Sequence, residues 1–315
     1  MDKSPDSWSS YYRFRRFLRL AGMRIRYIDV GDGDPVLLLH GIGHSSLGWK
    51  HNLPGLVDAG YRVIAVDTPG FGYSDRPPAS SLGRFQGFIT EFILELLDTM
   101  CLDSCHLAGH SLGGASAATF AIDHPERVRR LVLAAPALGP RVSFLLRLLT
   151  LHVAGALPRP TPRQLRGTLA RFAVDPGWLD EEEIAEFQRW LALPGSQQWF
   201  LTLLRTGLRL RGVKPEQLLV HRLAQLKAPT LVIWGQRDRI LPVVNGPIMA
   251  EQISDCRLEV IDDAGHMVTY EKSKRFNELA IEFFNGWSAR SVTLWTTDKA
   301  KGPPLPDLVV GWNPL

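Results

Sequence analysis

Residues 23–30 (MRIRYIDV) alternate apolar and polar positions, the pattern of a strand buried on one face. Residues 35–39 (PVLLL) form a continuous apolar run, and residues 61–66 (YRVIAV) form another, broken only by Arg62. Continuous runs suit strands covered on both faces, which belong to parallel sheets. Residues 105–108, 128–134, 230–234 and 257–261 extend the series. Between these runs the apolar period changes from two to that of a helix. Phe85, Phe88, Ile89, Phe92, Ile93, Leu96 and Leu97 predict an amphipathic helix with a wide apolar face. Residues 115–124 predict a helix packed through small side chains, and Phe276, Leu279, Ile281, Phe283 and Phe284 mark a closing helix. Strands alternating with helices through mostly short connections predict an α/β fold with a doubly wound, mostly parallel sheet.

The pattern changes over residues 138–212. No strand-like run occurs there, and helical stretches are predicted at 143–151, 164–173, 180–193 and 197–210. Asp180, Glu181, Glu182 and Glu183 stand where a helix start favours acids. This block reads as a helical insertion between two strands. Its surplus of Leu, Phe and Trp serves either packing or a pocket. The chain therefore divides into a first core part (1–137), a helical cap (138–212), a second core part (213–288) and a Pro-rich tail (289–315). Residues 1 to about 19 read as a loosely held basic lead-in.

Composition narrows the class. The 315 residues are 45% hydrophobic and 22% charged, which suits one large α/β unit with an insertion. The net charge of +4 comes without long basic runs or basic residues interleaved with aromatics, so nucleic-acid binding is not expected. Three cysteines (Cys101, Cys105, Cys256) make no disulfide framework and no metal-ligand spacing, which points to a reducing, cytoplasmic setting. The N-terminus lacks the apolar core and cleavage site of a secretory signal. No stretch is long and charge-free enough to span a bilayer: residues 142–158 are the most apolar, but Arg147 and His152 interrupt them. That segment and the basic N-terminus have the composition for peripheral lipid contact. A helix packed on the core is the simpler reading.

The candidate chemistry sits where predicted strands end. Gly109-His110-Ser111-Leu112-Gly113 fits G-x-S-x-G between an apolar run and a helix-forming run, and places a serine on a sharp turn. The other loops carry His40-Gly41-Ile42, Asp238 and His266. Sites in such sheets lie beyond the carboxyl ends of the strands. The order Ser, Asp, His is that of a nucleophile, an orienting acid and a base able to cleave esters or amides.

With the HGIG loop, DTPGFGYSDRP, GHSLGG, WGQRDRILP and AGH in place, the chain resembles the α/β-hydrolase fold superfamily over roughly residues 23 to 287. The resemblance implies a helical cap inserted after the sixth strand. It also implies Ser111 as nucleophile, His266 as base and then acid, Asp238 as orienting carboxylate, and an oxyanion hole of the Ile42 and Leu112 backbone N–H groups. Asp262 or Asp263 remain alternatives for the acid. His40 is expected to orient the oxyanion loop, and Asp75 to fix its own loop. Gly41, His44, His110 and Met267 are candidate substrate-binding residues; His110 either packs beneath the serine turn or edges the pocket, and His44 either lines the pocket or lies solvated.

Ser111 where an aspartate nucleophile would stand, and the absence of Tyr from residues 138–212, disfavour epoxide hydrolase and dehalogenase chemistry. The leading expectation is a carboxylic ester hydrolase acting on small-molecule apolar esters, of short to medium acyl chain or aryl, with no cofactor. A carbon–carbon bond hydrolase of the meta-cleavage type is the alternative, though the usual GNSMGG-like elbow is absent and Met267 stands where a tryptophan often follows the histidine. A cofactor-free perhydrolase shares the same residues. A non-catalytic binding protein of this fold is the last alternative.

Overall fold

The computed structural model describes residues 13–148, 151, 160–210, 212–214 and 218–286. Much of the apolar segment 142–157, the first twelve residues of the lead-in and the tail 289–315 lie outside the described residues.

The lead-in is a strand where it is described. β1 (Arg15–Leu20) pairs antiparallel with β2 (Met23–Val30) across a turn at Ala21-Gly22. Its alternation is masked in sequence because an edge strand leaves its outward side chains in water. Arg15, Arg16 and Arg19 are exposed, and the half-exposed Phe17 ring is covered by the Arg24 guanidinium at 4.8 Å.

The sheet then runs through β3 (Pro35–Leu39), α1 (Leu53–Asp58), β4 (Arg62–Val66), α2 (Phe85–Thr99), β5 (Cys105–His110), α3 (Leu112–Asp123) and β6 (Val128–Ala134). After the insertion come β9 (Thr230–Gly235), α8 (Asn245–Ala250), β10 (Cys256–Ile261), α9 (Val268–Glu271) and α10 (Ser273–Phe284). The eight strands lie in the order β1-β2-β4-β3-β5-β6-β9-β10, parallel from β4 to β10. Predicted runs 35–39 and 128–134 coincide with β3 and β6, while the run 105–108 extends to His110. β3 is fully buried, as its unbroken apolar pattern requires. One face of the sheet packs on α2 and α3 through Leu37, Leu107 and Phe120; the other packs on α1 and α10 through Leu38, Trp49 and Phe283. Burying each large apolar side chain contributes about 1.5–3 kcal/mol.

The insertion follows β6 and is helical: α4 (Phe144–Leu148), α5 (Pro162–Leu169), α6 (Glu181–Ala192) and α7 (Ser196–Gly207). The predicted stretches 180–193 and 197–210 run past the ends of α6 and α7. A short hairpin, β7 (Leu208–Arg209) with β8 (Gly212–Val213), occupies part of the stretch expected to be helix only. α5 starts at a full capping box, with Thr161 Oγ1 accepting from Gln164 N while Gln164 Oε1 accepts from Thr161 N.

Candidate active site

β5 delivers Ser111 at its carboxyl end and α3 starts immediately after it. Ser111 takes φ +53° and ψ −116°, a strained conformation for a residue with a side chain. The glycines on either side make that turn feasible. A Cβ on Gly109 would lie 2.4 Å from the Gly113 carbonyl oxygen, and one on Gly113 would lie 2.3 Å from that of Leu39. With no Cβ at either position, α3 presses against β3 and β5 and the Ser111 side chain stands clear of the sheet.

Three elements distant in sequence meet at this point. His266 Nε2 lies 3.1 Å from Ser111 Oγ, and His266 Nδ1 lies 2.8 Å from Asp238 Oδ2. All three side chains are buried. Asp238 is held in turn by the Ile240 and Leu241 backbone N–H groups, which donate to its Oδ1 at 2.8 and 2.9 Å. Asp263 instead pairs with Arg237 at 2.8 Å on the surface. Of the carboxylates the sequence offered, Asp238 is the one hydrogen-bonded to His266. Leu112 is the first residue of α3, where backbone N–H groups have no partner within the helix. Gly41 adjoins it: a Cβ there would lie 3.2 Å from the Cβ of Ser111.

The neighbouring histidines are structural and neutral. His40 Nε2 accepts from Thr68 N at 3.0 Å, and burial lowers its pKa. His110 Nε2 lies 2.9 Å from the His266 carbonyl oxygen, and burial, with His266 close by, pushes it well below 6.5. His44 is buried rather than solvated. Its Nδ1 accepts from Ser45 N at 3.0 Å, so the ring proton sits on Nε2, 3.2 Å from the Tyr270 hydroxyl. Burial drives it to about 3. Asp75 Oδ2 accepts from Arg24 N at 2.8 Å and fixes its loop.

A cavity of about 530 Å³ opens over Ser111. Gly41, His44, His110 and Met267 all line it, as do Ile42, Leu112 and His266. The insertion supplies the far walls, among them Leu165, Trp178, Phe187, Trp190 and Leu204. Among the described residues that line it, none is Lys, Arg, Asp or Glu.

A second set of residues was not legible in the sequence. α6 is bolted to the core by buried charge. Arg26 Nη2 of β2 donates to Glu186 Oε1 and to Asp67 Oδ1, both at 3.1 Å. Lys50 Nζ lies 2.6 Å from Asp180 Oδ2 and 3.3 Å from Glu183 Oε1. The Tyr270 hydroxyl donates to Glu183 Oε1 at 2.7 Å. Burial outweighs the Lys50 charge and raises Glu183 to about 8. For Asp67 burial acts upward, but the Arg26 guanidinium prevails and holds it low. The available sequence signal was the repeat of acids at i and i+3 (Glu183, Glu186) beside the apolar stripe Ile184, Phe187 and Trp190. Acids on a buried stripe call for buried cations, but their partners lie more than a hundred residues away.

A mostly parallel sheet with Ser, His and Asp gathered beyond its carboxyl edge defines an α/β hydrolase. The chain belongs to this family: a profile of the alpha/beta hydrolase fold matches residues 34–273. A 2-hydroxy-6-oxo-6-phenylhexa-2,4-dienoate hydrolase of Comamonas testosteroni is 34% identical over 278 residues, covering 84% of this chain and 92% of that protein. Among solved structures, a meta-cleavage product hydrolase from Pseudomonas fluorescens IP01 superposes with a TM-score of 0.73 at 29% identity, over 86% of this chain and 97% of that one. A bacterial membrane phospholipase A superposes with a TM-score of 0.73 at 25% identity, over 86% of each chain. The chain is therefore a hydrolase by family. No helix among the described residues is long and apolar enough to cross a membrane.

Proposed function

We propose that the protein is a serine hydrolase that cleaves an uncharged, apolar acyl substrate, in the first instance a carboxylic ester, through an acyl-enzyme on Ser111. The observation that carries this reading is the hydrogen-bonded series Ser111–His266–Asp238 at the floor of a cavity whose described lining bears no charged side chain other than a protonatable histidine. Ser111 Oγ adds to the substrate carbonyl as His266 Nε2 takes its proton, and Asp238 stabilises the imidazolium. The N–H groups of Ile42 and Leu112 stabilise the oxyanion, Leu112 with the help of the α3 dipole. Collapse expels the alcohol, which takes the proton from His266. Water, deprotonated by His266, then releases the acid. Residues 138–212 serve as the cap, between core parts 1–137 and 213–288.

A second reading is carbon–carbon hydrolysis of the meta-cleavage type. The relatives favour it more directly than ester cleavage, since those quoted at 34% and 29% identity carry that activity in their names. Their dienoate substrate is an anion, however, and a buried carboxylate without a cationic partner is costly to desolvate. The absence of a described cation from the cavity lining favours an uncharged substrate for this chain. The test is turnover of p-nitrophenyl esters from acetate to laurate beside 2-hydroxy-6-oxo-6-phenylhexa-2,4-dienoate, with wild type and Ser111→Ala. Serine-dependent ester turnover alone supports the first reading, and serine-dependent dienoate turnover alone replaces it with the second. Turnover that survives Ser111→Ala removes both.

A further inference from the structure

The positive charge of the chain is concentrated in the insertion and sorted within it. Residues 138–214 hold eleven Lys and Arg against six Asp and Glu, and all six acids fall within residues 175–186. The fold then turns three of them toward the core, where Asp180 and Glu183 meet Lys50 and Glu186 meets Arg26. Residues 138–174 hold six Arg and no acid; residues 187–214 hold four Arg and Lys214 and no acid. Among the described residues of these two stretches, Arg141, Arg163, Arg171, Arg189 and Arg209 are exposed.

The same side exposes apolar groups. Phe144 on α4 is 60% exposed, Leu151 59%, and Leu210, which follows β7, 43%. Arg147 Nη1 donates to the Leu210 carbonyl oxygen at 3.4 Å, bringing α4 beside the hairpin, and its guanidinium lies 5.4 Å from the Phe144 ring centre. Leu146, Leu208 and Val213, on the same helix and hairpin, line the cavity, so this exposed apolar face and the cavity wall share one helix and one hairpin. Exposed apolar residues amid arginines, beside an apolar cavity, match an anionic bilayer in both charge and hydrophobicity.

We propose that this face docks on an anionic phospholipid bilayer, so that α4 and the β7–β8 hairpin meet the headgroups and the cavity beside them faces the acyl region. An apolar substrate would then pass from lipid to Ser111 without crossing water. The docking does not depend on which bond is cut; its use in delivering substrate rests on the reading above.

The test is co-sedimentation of the full chain carrying Ser111→Ala with vesicles of phosphatidylglycerol and phosphatidylcholine, or phosphatidylcholine alone. Expected are at least tenfold greater binding to the anionic vesicles, weakening with salt, and at least a fivefold loss in the doubles Phe144→Ser/Leu210→Ser and Arg141→Glu/Arg209→Glu. The double Lys274→Glu/Arg275→Glu on α10 makes the same change in net charge and is expected to bind as the parent does; an equal loss there would reduce the effect to overall charge and overturn the proposal. Circular dichroism checks that each variant is folded. Absence of binding to anionic vesicles, equal binding to both vesicle types, or unchanged binding by folded variants of this face also overturns it. So does a dimer that the Phe144/Leu210 double dissolves while no vesicle binding occurs, because the patch would then belong to a second copy of the chain.

Discussion

His110 Nε2 lies 2.9 Å from the carbonyl oxygen of His266, and the two imidazole rings are 4.9 Å apart. The residue immediately before Ser111 thus holds the backbone of the residue that faces the Ser111 hydroxyl. Because burial keeps His110 neutral, its single ring proton is committed to that carbonyl. Its removal frees the 264–267 loop while leaving Ser111, His266 and Asp238 chemically intact. His110→Ala is expected to lower kcat by on the order of 100-fold, the cost of a displacement of about 1 Å at the reacting groups, with a smaller change in KM. Steady-state kinetics on the best ester of the series checks this.

Asp238 divides its two oxygens between tasks: Oδ1 accepts from the loop N–H groups of Ile240 and Leu241, and Oδ2 faces His266 Nδ1. In Asp238→Asn the amide oxygen would remain with the loop, and the NH₂ would turn toward His266. The imidazole proton would then move to Nε2, where it can no longer accept from Ser111. A fall in kcat of about 10⁴-fold is expected, with an unchanged circular dichroism spectrum. Full activity in the variant would remove Asp238 from the mechanism.

Arg26 and Glu186 join the core to α6 at 3.1 Å, and both side chains are almost wholly buried. Removing Glu186 leaves Arg26 paired with Asp67 but without its link to α6, the loss of a charged hydrogen bond that contributes about 1.5–3 kcal/mol. Glu186→Ala should therefore loosen the insertion before the sheet unfolds. Limited proteolysis is expected to cut within residues 138–214 much faster than in wild type. Equal cutting rates would show that the anchor contributes little.

Stability should peak near neutrality. Burial lowers His40, His44 (to about 3), His106 (to about 4) and His110 in the folded chain, while the unfolded chain takes up these protons below 6.5. Their contribution is lost as pH falls below about 6.5. Glu183 acts in the opposite sense. Folded, it keeps its proton to about 8, whereas unfolded it releases it near 4.5, so stability declines as pH rises through that window. Tm measured from pH 5 to 9 should pass through a maximum, and Glu183→Gln should flatten the decline between about 6.5 and 8 while steepening the acid limb. An unchanged alkaline limb would show that Glu183 does not hold its proton.

Much of this protein is legible before it folds. β3 is apolar along its whole length and β6 from Leu131 onward because both faces of the sheet are covered there, and α2 shows its helical period because only one side is covered. β1 escaped notice because an edge strand buries little, so its arginines read as a tail. The β7–β8 hairpin escaped because two residues per strand are too few to show a period. Ser111, Asp238 and His266 were visible from the turns at strand ends, where the backbone itself dictates glycine and small residues. Glu183, Glu186 and Asp180 read only as acids at a helix start. Asp180 does cap α6, accepting from Glu183 N at 2.8 Å, but the inward pair serves the core.

By itself the sequence determined the alternation of strands and helices, the serine turn and the order of the reactive residues, since these are local consequences of period, chirality and backbone sterics. Only the tertiary structure decided which carboxylate faces His266, that His44 is buried and neutral, and that Lys50 and Arg26 anchor α6. The absence of Lys, Arg, Asp and Glu from the described lining of the cavity was decided there as well. Each of these depends on distances between segments far apart in the chain. Burial and charge pairing act through space, and sequence separation carries no record of them.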